Sequence, residues 1–199
     1  MTGVQTCALP IFGYAVFGQA TYTFFDKLDL TGGLRYEYEK NEMDYSSDNI
    51  SGGQILPDMS MNFDGSKHDD VLLPKAQIGY HWTPDFMTYA GITRGYRSGG
   101  FNTTFLSMED MSFGPEYSWN YEVGFKSSWL NNRLNFNTSL FYIDLDDQQV
   151  TQVLPTANTL IRNAGETRSM GFEVEGSAVI IEGLRLEASF GYKIGRAHV

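Results

Sequence analysis

Apolar and polar side chains alternate with period two along most of the chain. From Leu28 the residues Leu28, Leu30, Gly32, Leu34, Tyr36 and Tyr38 form one set, and Asp29, Thr31, Gly33, Arg35, Glu37 and Glu39 the other. Such alternation puts successive side chains on opposite faces of a strand. It recurs in Tyr14–Phe25, Leu28–Lys40, Asp70–Trp82, Phe86–Arg97, Glu116–Trp129, Arg133–Asp146, Glu166–Ile181 and Leu184–Tyr192. The pattern predicts an all-β chain, an antiparallel meander of about eight long strands. In Phe86–Arg97 the faces are mixed, and we place Tyr89 outward and Arg94 inward. Pro74 lacks an amide donor, which predicts a bulge or a weakly paired site in its strand.

The connections alternate in length. Asp26-Lys27, Thr83–Asp85, Leu130–Asn132 and Glu182-Gly183 are short; Asn41–Asp69, Ser98–Pro115 and Asp147–Gly165 are long and polar. All short turns then fall at one end of the sheet and all long loops at the other. Transmembrane β-barrels of the outer membrane have this asymmetry, with short periplasmic turns and long extracellular loops. Each strand is long enough for the roughly 9–11 residues a membrane crossing needs. A soluble β-sandwich shares the period but does not confine long loops to alternate connections.

Composition sharpens this reading. No apolar run reaches the length of a transmembrane helix, which leaves a barrel open, since barrel strands alternate. Aromatic residues are 15% and glycines number 21, favouring β-structure. The net charge of −10 argues against a nucleic-acid partner. The second face carries Arg35, Glu37, Lys75, Glu122, Lys126, Glu173 and Glu175, which must meet water or an inserted domain rather than lipid.

The runs YAVFGQATYTFFDKLDLTGGLRYEYEK, TPDFMTYAGITRGYRSGGFN, PEYSWNYEVGFKSSWLNNRLNFNTSLFYIDLDDQQV and NAGETRSMGFEVEGSA resemble, in that order, the barrel of TonB-dependent outer-membrane receptors. The resemblance implies a transmembrane barrel of about 22 strands, of which these eight form a mid-to-late part. It implies location in a Gram-negative outer membrane and active uptake of a scarce ligand, ferric siderophores foremost, with cobalamin or oligosaccharides as other cargoes. The implied partners are membrane lipid, the receptor's own plug domain, the TonB complex and the small-molecule ligand. The TonB box, plug and closing strand would lie outside this sequence, and the segment alone would not transport and would leave two open sheet edges. A passive porin and an outer-membrane barrel enzyme are the alternatives.

Arg94, Arg97, Phe101 and Asn102 are candidates for ligand contact, because arginine offers a bidentate fork to an anionic chelate. The competing reading pairs Arg94 with lumen carboxylates and uses Gly99-Gly100 for a positive φ at the loop start. The Glu173/Glu175 pair, the Asp144/Asp146/Asp147 group and His68 with Asp69 and Asp70 read as solvated faces, so no catalytic residue, metal site or cofactor is expected. The ends read differently. Residues 1–11 and 194–199 resemble in-frame translations of a sequencing-library adapter, Ile-Gly-Arg-Ala-His-Val corresponding to ATC-GGA-AGA-GCA-CAC-GTC. The natural segment is expected at residues 12–193, and Cys7 and His198 fall outside it.

Overall fold

A computed structural model describes residues 2–51, 54–55, 61–103, 107–155 and 158–198. Among the described residues fourteen strands are formed, ten of them in one antiparallel sheet. β1 (Thr2–Ala8) and β2 (Ile11–Phe24) lie end to end along β3 (Leu28–Ser51) in a single register, Ala8 opposite Asp44 and Ile11 opposite Asn41. Pro10 interrupts them because it has no amide to donate, yet its carbonyl still accepts the Glu42 amide at 3.0 Å. The two-residue β4 (Gln54–Ile55) caps the far end of β3. The sheet continues through β5 (Met61–Thr83) and β6 (Phe86–Arg97). Between β6 and the next wall strand the chain forms β7 (Gly100–Phe101), a 3-10 turn at Met108–Met111 and β8 (Ser112–Phe113). β9 (Glu116–Trp129) and β10 (Leu134–Asp146) follow, then the β11 (Gln149–Val153) and β12 (Thr159–Asn163) hairpin. β13 (Glu166–Ile181) and β14 (Leu184–His198) complete the sheet. Counting β1 and β2 as one path, the wall has eight crossings in strict sequence order, the meander that the alternation predicts.

Three of the short turns use the left-handed region of the backbone. Phe25 and Asp26 take φ of 52° and 57°, Leu130, Asn131 and Asn132 take 56°, 57° and 64°, and Gly183 takes 83°. Asparagine and glycine tolerate this left-handed region with little cost. At Pro74 the ladder between β5 and β6 ends: their pairing runs only to Lys75 opposite Thr93, while β3–β5 pairing continues unshifted past Pro74. Pro74 is thus a weakly paired site on its β6 side rather than a bulge.

One expected loop is mostly strand. β3 and β5 overrun the expected Lys40 and Asp70 boundaries, with Asn41 opposite Lys67 and Ser47 opposite Met61. Asn41, Met43 and Tyr45 on this extension are buried, and the intervening Asp44 is exposed. Both faces of such an extension lie beyond the bilayer, so no lipid demands an apolar outer face and the sequence loses its clean period.

Burial within the sheet is unusual for a protein of this size. Val16, Leu34, Leu72, Val123, Leu140 and Phe190 are each exposed on the same face of their strands. A continuous apolar face of this kind suits lipid rather than water. The buried apolar side chains lie instead at the loop end: Met43 and Tyr45 on β3, Val71 on β5, Met111 in the 3-10 turn, and Leu154 and Leu160 in the last long connection.

Candidate functional site

Register fixes which side chains share a face, because directly paired residues of adjacent strands point the same way. Arg35 and Glu37 on β3, Lys75 on β5, Glu122 and Lys126 on β9, and Glu173 and Glu175 on β13 fall on one face, opposite the apolar set. Arg35 Nε donates to Glu37 Oε2 at 2.8 Å, and Lys75 Nζ to Gln19 Oε1 at 3.2 Å. Tyr89 donates its hydroxyl to Glu122 Oε1 at 2.7 Å, and Lys126 Nζ stands 5.6 Å from the Tyr89 ring centre. Polar hollows line this face, including one bounded by Tyr89, Glu122, Lys126, Glu173 and Glu175. It is the polar face that the sequence reading assigns to the lumen.

The β6 assignment is reversed. Tyr89 pairs with Gly124 and Gly91 with Glu122, which puts Tyr89 on the lumen face. Arg94 pairs with Trp119 on the outward face, with its Cζ 5.0 Å from the Tyr117 ring centre and 5.5 Å from that of Trp119. The physical reason is that a tyrosine hydroxyl finds an acceptor among the lumen carboxylates, while an arginine near the strand top stacks on girdle aromatics. Arg94 therefore pairs with no lumen carboxylate. The Arg94 Nε and Tyr96 Oη atoms are buried without a partner among the described residues.

At the loop end of the wall the long connections are bonded to one another and to the β3–β5 extension. Asn102 is buried and its amide group is fully committed: Nδ2 donates to Asp110 O and to Ile161 O at 2.8 Å each, and Oδ1 accepts from the Ile161 amide at 2.9 Å. Asn163 does the same from the last long connection. Its Nδ2 donates to Gly114 O, Pro115 O and Asp147 O at 3.0, 3.3 and 2.7 Å, while Oδ1 accepts from the Gly114 amide. Gln149 Nε2 reaches Ser98 O at 2.7 Å and Gly114 O at 3.1 Å. Arg162 closes an ion pair with Asp110 at 2.6 Å. The β3–β5 extension joins the cluster through Lys67 Nζ to Phe113 O at 2.7 Å, Asn41 Nδ2 to Gly99 O at 3.1 Å, and the Gly99 amide to Asp69 Oδ2 at 3.3 Å.

Gly99 owes its identity to that close approach. Neither Gly99 nor Gly100 has positive φ; a Cβ on Gly99 would stand 2.5 Å from Phe113 O and 2.9 Å from the Gly114 carbonyl carbon. The cluster borders an open cavity of about 240 Å³, bounded by Glu39, Asn41, Arg97, Phe101, Phe113, Gln149 and Ile161 together with Leu9 and Ile11 of the terminal segment 1–11. Arg97 is exposed there, and Phe101 packs edge-on against Phe63 with ring centres 6.3 Å apart. Of the four candidate contacts, the structure brings Arg97 and Phe101 to this cavity, locks Asn102 into the loops and turns Arg94 outward.

The other charged groups separate as well. His68 stacks with Tyr38 on the outward face, whereas Asp69 holds Gly99 on the inner one. Asp144 pairs with Arg168 at 3.2 Å. Asn41, Lys67, Gln149 and Asn163 escaped the sequence reading, because their partners are mostly backbone groups that no motif announces.

The family model described as TonB dependent receptor-like, beta-barrel matches residues 10–197. The Pesticin receptor of Yersinia enterocolitica is 28% identical over 162 residues, 81% of this chain and 23% of that protein. The Metal-pseudopaline receptor CntO of Pseudomonas aeruginosa is 24% identical over 161 residues, again 81% of this chain and 21% of that one. The chain thus spans about a quarter of the length of these curated relatives. Among solved structures, the ferric yersiniabactin uptake receptor FyuA from Yersinia pestis superposes with a TM-score of 0.79 at 22% identity, over 98% of this chain and 28% of that one. Strand order, face chemistry and these matches agree: the chain belongs to the TonB-dependent receptor β-barrel family of the Gram-negative outer membrane.

Proposed function

We propose that the chain forms part of the wall and mouth of an outer-membrane receptor that takes up a scarce metal chelate, ferric siderophores foremost, with energy from the TonB complex. The observation that carries this is the family match over nearly the whole chain, joined by relatives named as receptors for pesticin and metal-pseudopaline and for ferric yersiniabactin uptake. Arg97 and Phe101 beside the cavity supply a cation and a ring for an anionic, aromatic-rich chelate. The charged lumen face, Arg35, Glu37, Lys75, Glu122, Lys126, Glu173 and Glu175, supplies the surface for a plug domain. Relatives of the chain are receptors, so the proposal assigns no catalytic residue, and a passive channel gains no support from them.

The test is uptake of radiolabelled iron chelates by cells whose only route is the complete receptor carrying this segment. Saturable uptake that stops when the TonB complex is removed supports the proposal; uptake that persists without it overturns it. We also propose that residues 1–11 and 194–199 derive from adapter sequence. Genomic DNA encoding both ends in frame would refute that origin.

A further inference from the structure

The ladder between β5 and β6 leaves a seam open at the loop end. It stops with Lys75 opposite Thr93, although β5 goes on pairing with β3 through Pro74 to Val71, and β6 goes on pairing with β9 through Arg94 to Arg97. Pro74 has no amide to give to β6, and no pair follows it among the described residues. The sheet therefore holds Arg97 on its β9 side, opposite Glu116, and leaves its β5 side free.

Side chains of the β3–β5 extension close that seam. In its ladder Asn41 stands opposite Lys67 and Glu39 opposite Asp69, so all four share one face. From this face two of them grip Gly99 by both of its backbone groups. The Gly99 amide donates to Asp69 Oδ2 at 3.3 Å, and Asn41 Nδ2 donates to the Gly99 carbonyl at 3.1 Å and to Glu39 Oε1 at 3.2 Å. Lys67 Nζ adds a tie to the carbonyl of Phe113, the ladder partner of Gly100. Asn41 and Gly99 are buried, where an unpaired amide or carbonyl is costly. Gly99 lies midway between Arg97 and Phe101. Its two bonds orient the peptide planes on either side of it, and so the directions in which the Arg97 and Phe101 side chains leave the backbone.

We propose that Asn41 and Asp69 are positioning residues for ligand capture, clamping Gly99 so that Arg97 and Phe101 meet an anionic chelate together. The proposal rests on the assignment of Arg97 and Phe101 to capture. Its sign is distinctive. A carboxylate near an anionic chelate repels it, so loss of the Asp69 charge alone tightens binding, whereas loss of the clamp weakens it.

The test uses the complete receptor in detergent micelles. Hydrogen exchange read by mass spectrometry should find residues 98–101 protected in the unaltered receptor and exposed in Asn41→Ala and Asp69→Ala. Protection should return in Asp69→Asn, which keeps an acceptor for the Gly99 amide. Equilibrium binding of an iron-55-labelled ferric catecholate should weaken about fivefold in Asn41→Ala and in Asp69→Ala, and stay within about twofold in Asp69→Asn. In an Arg97→Gln background Asn41→Ala should add less than about twofold, since most of its effect runs through Arg97. Binding weakened by Arg97→Gln but not by Asn41→Ala or Asp69→Ala overturns the clamp alone, and so does tighter binding by Asp69→Ala or full additivity with Arg97→Gln. Binding indifferent to Arg97→Gln refutes the capture assignment itself. Rapid exchange at residues 98–101 of the unaltered receptor overturns the clamp even where no variant folds.

Discussion

Asn102 and Ile161 hold one another reciprocally: the Asn102 amide donates to Ile161 O at 2.8 Å, and the Ile161 amide donates back to Asn102 Oδ1 at 2.9 Å. The two residues belong to different long connections, 59 positions apart in sequence. One buried side chain thus imitates a stretch of β-ladder between loops, and buried backbone groups in both depend on it.

Asn102→Ala should therefore loosen both connections together. Leaving the Ile161 amide and carbonyl and the Asp110 carbonyl without their partner costs about 2 kcal/mol or more of local stability. Hydrogen exchange on the complete receptor should show faster amide exchange in residues 98–103 and in 159–163, with the wall strands unchanged. Acceleration in one loop alone would mean that they do not form a unit.

The crowding around Gly124 gives a second expectation. A Cβ there would lie 2.5 Å from Thr138 O and 2.8 Å from the Tyr89 hydroxyl. A backbone oxygen does not yield as a flexible side chain does, so Gly124→Ala should cost about 1–3 kcal/mol. Urea unfolding in detergent micelles would measure it. A variant as stable as the parent would contradict the close approach of Thr138 O to Gly124.

Charge placement discriminates the two faces. Val123 is exposed on the apolar face in the middle of β9, and Ser139 lies on the lumen face opposite Glu173. Val123→Lys should destabilise by about 2–4 kcal/mol, the cost of lysine at the bilayer midplane. Ser139→Lys, beside carboxylates, should fall within about 1 kcal/mol of the parent. Equal effects, read from the folded fraction on heated and unheated gels, would remove the distinction between faces.

At the cavity, Arg97→Glu should weaken capture of an anionic chelate roughly tenfold by reversing the charge at its rim. Equilibrium binding of radiolabelled chelate to the complete receptor measures this, and undiminished affinity would assign Arg97 no part in capture.

The wall was legible because lipid enforces it. Every second residue of Leu28–Tyr38 or Tyr117–Phe125 must be apolar where it meets acyl chains, and glycine, asparagine and proline mark the turns between strands. The β3–β5 extension was not legible, since its buried residues Asn41, Met43 and Tyr45 follow no run of apolar side chains, and Asn41 is held by the Gly99 carbonyl of a distant loop. Phe86–Arg97 misled for a related reason. Tyr89 and Arg94 are amphipathic, and only the cross-strand partners Gly124 and Trp119 decide which way each points. At the mouth, Arg97 and Phe101 announced themselves by residue type, whereas Asn163 and Gln149 act by bonding to backbone.

The alternation of faces along β6 is the claim on which wall, lumen and mouth all rest. A nitroxide placed singly at Tyr89, Ala90, Gly91, Ile92 and Thr93 of the complete receptor in membranes reports its surroundings through relaxation by oxygen, which concentrates in lipid. Strong oxygen relaxation at residues 90 and 92, and weak relaxation at 89, 91 and 93, is the predicted result. A profile without that two-residue period, or with its phase inverted, would contradict the account.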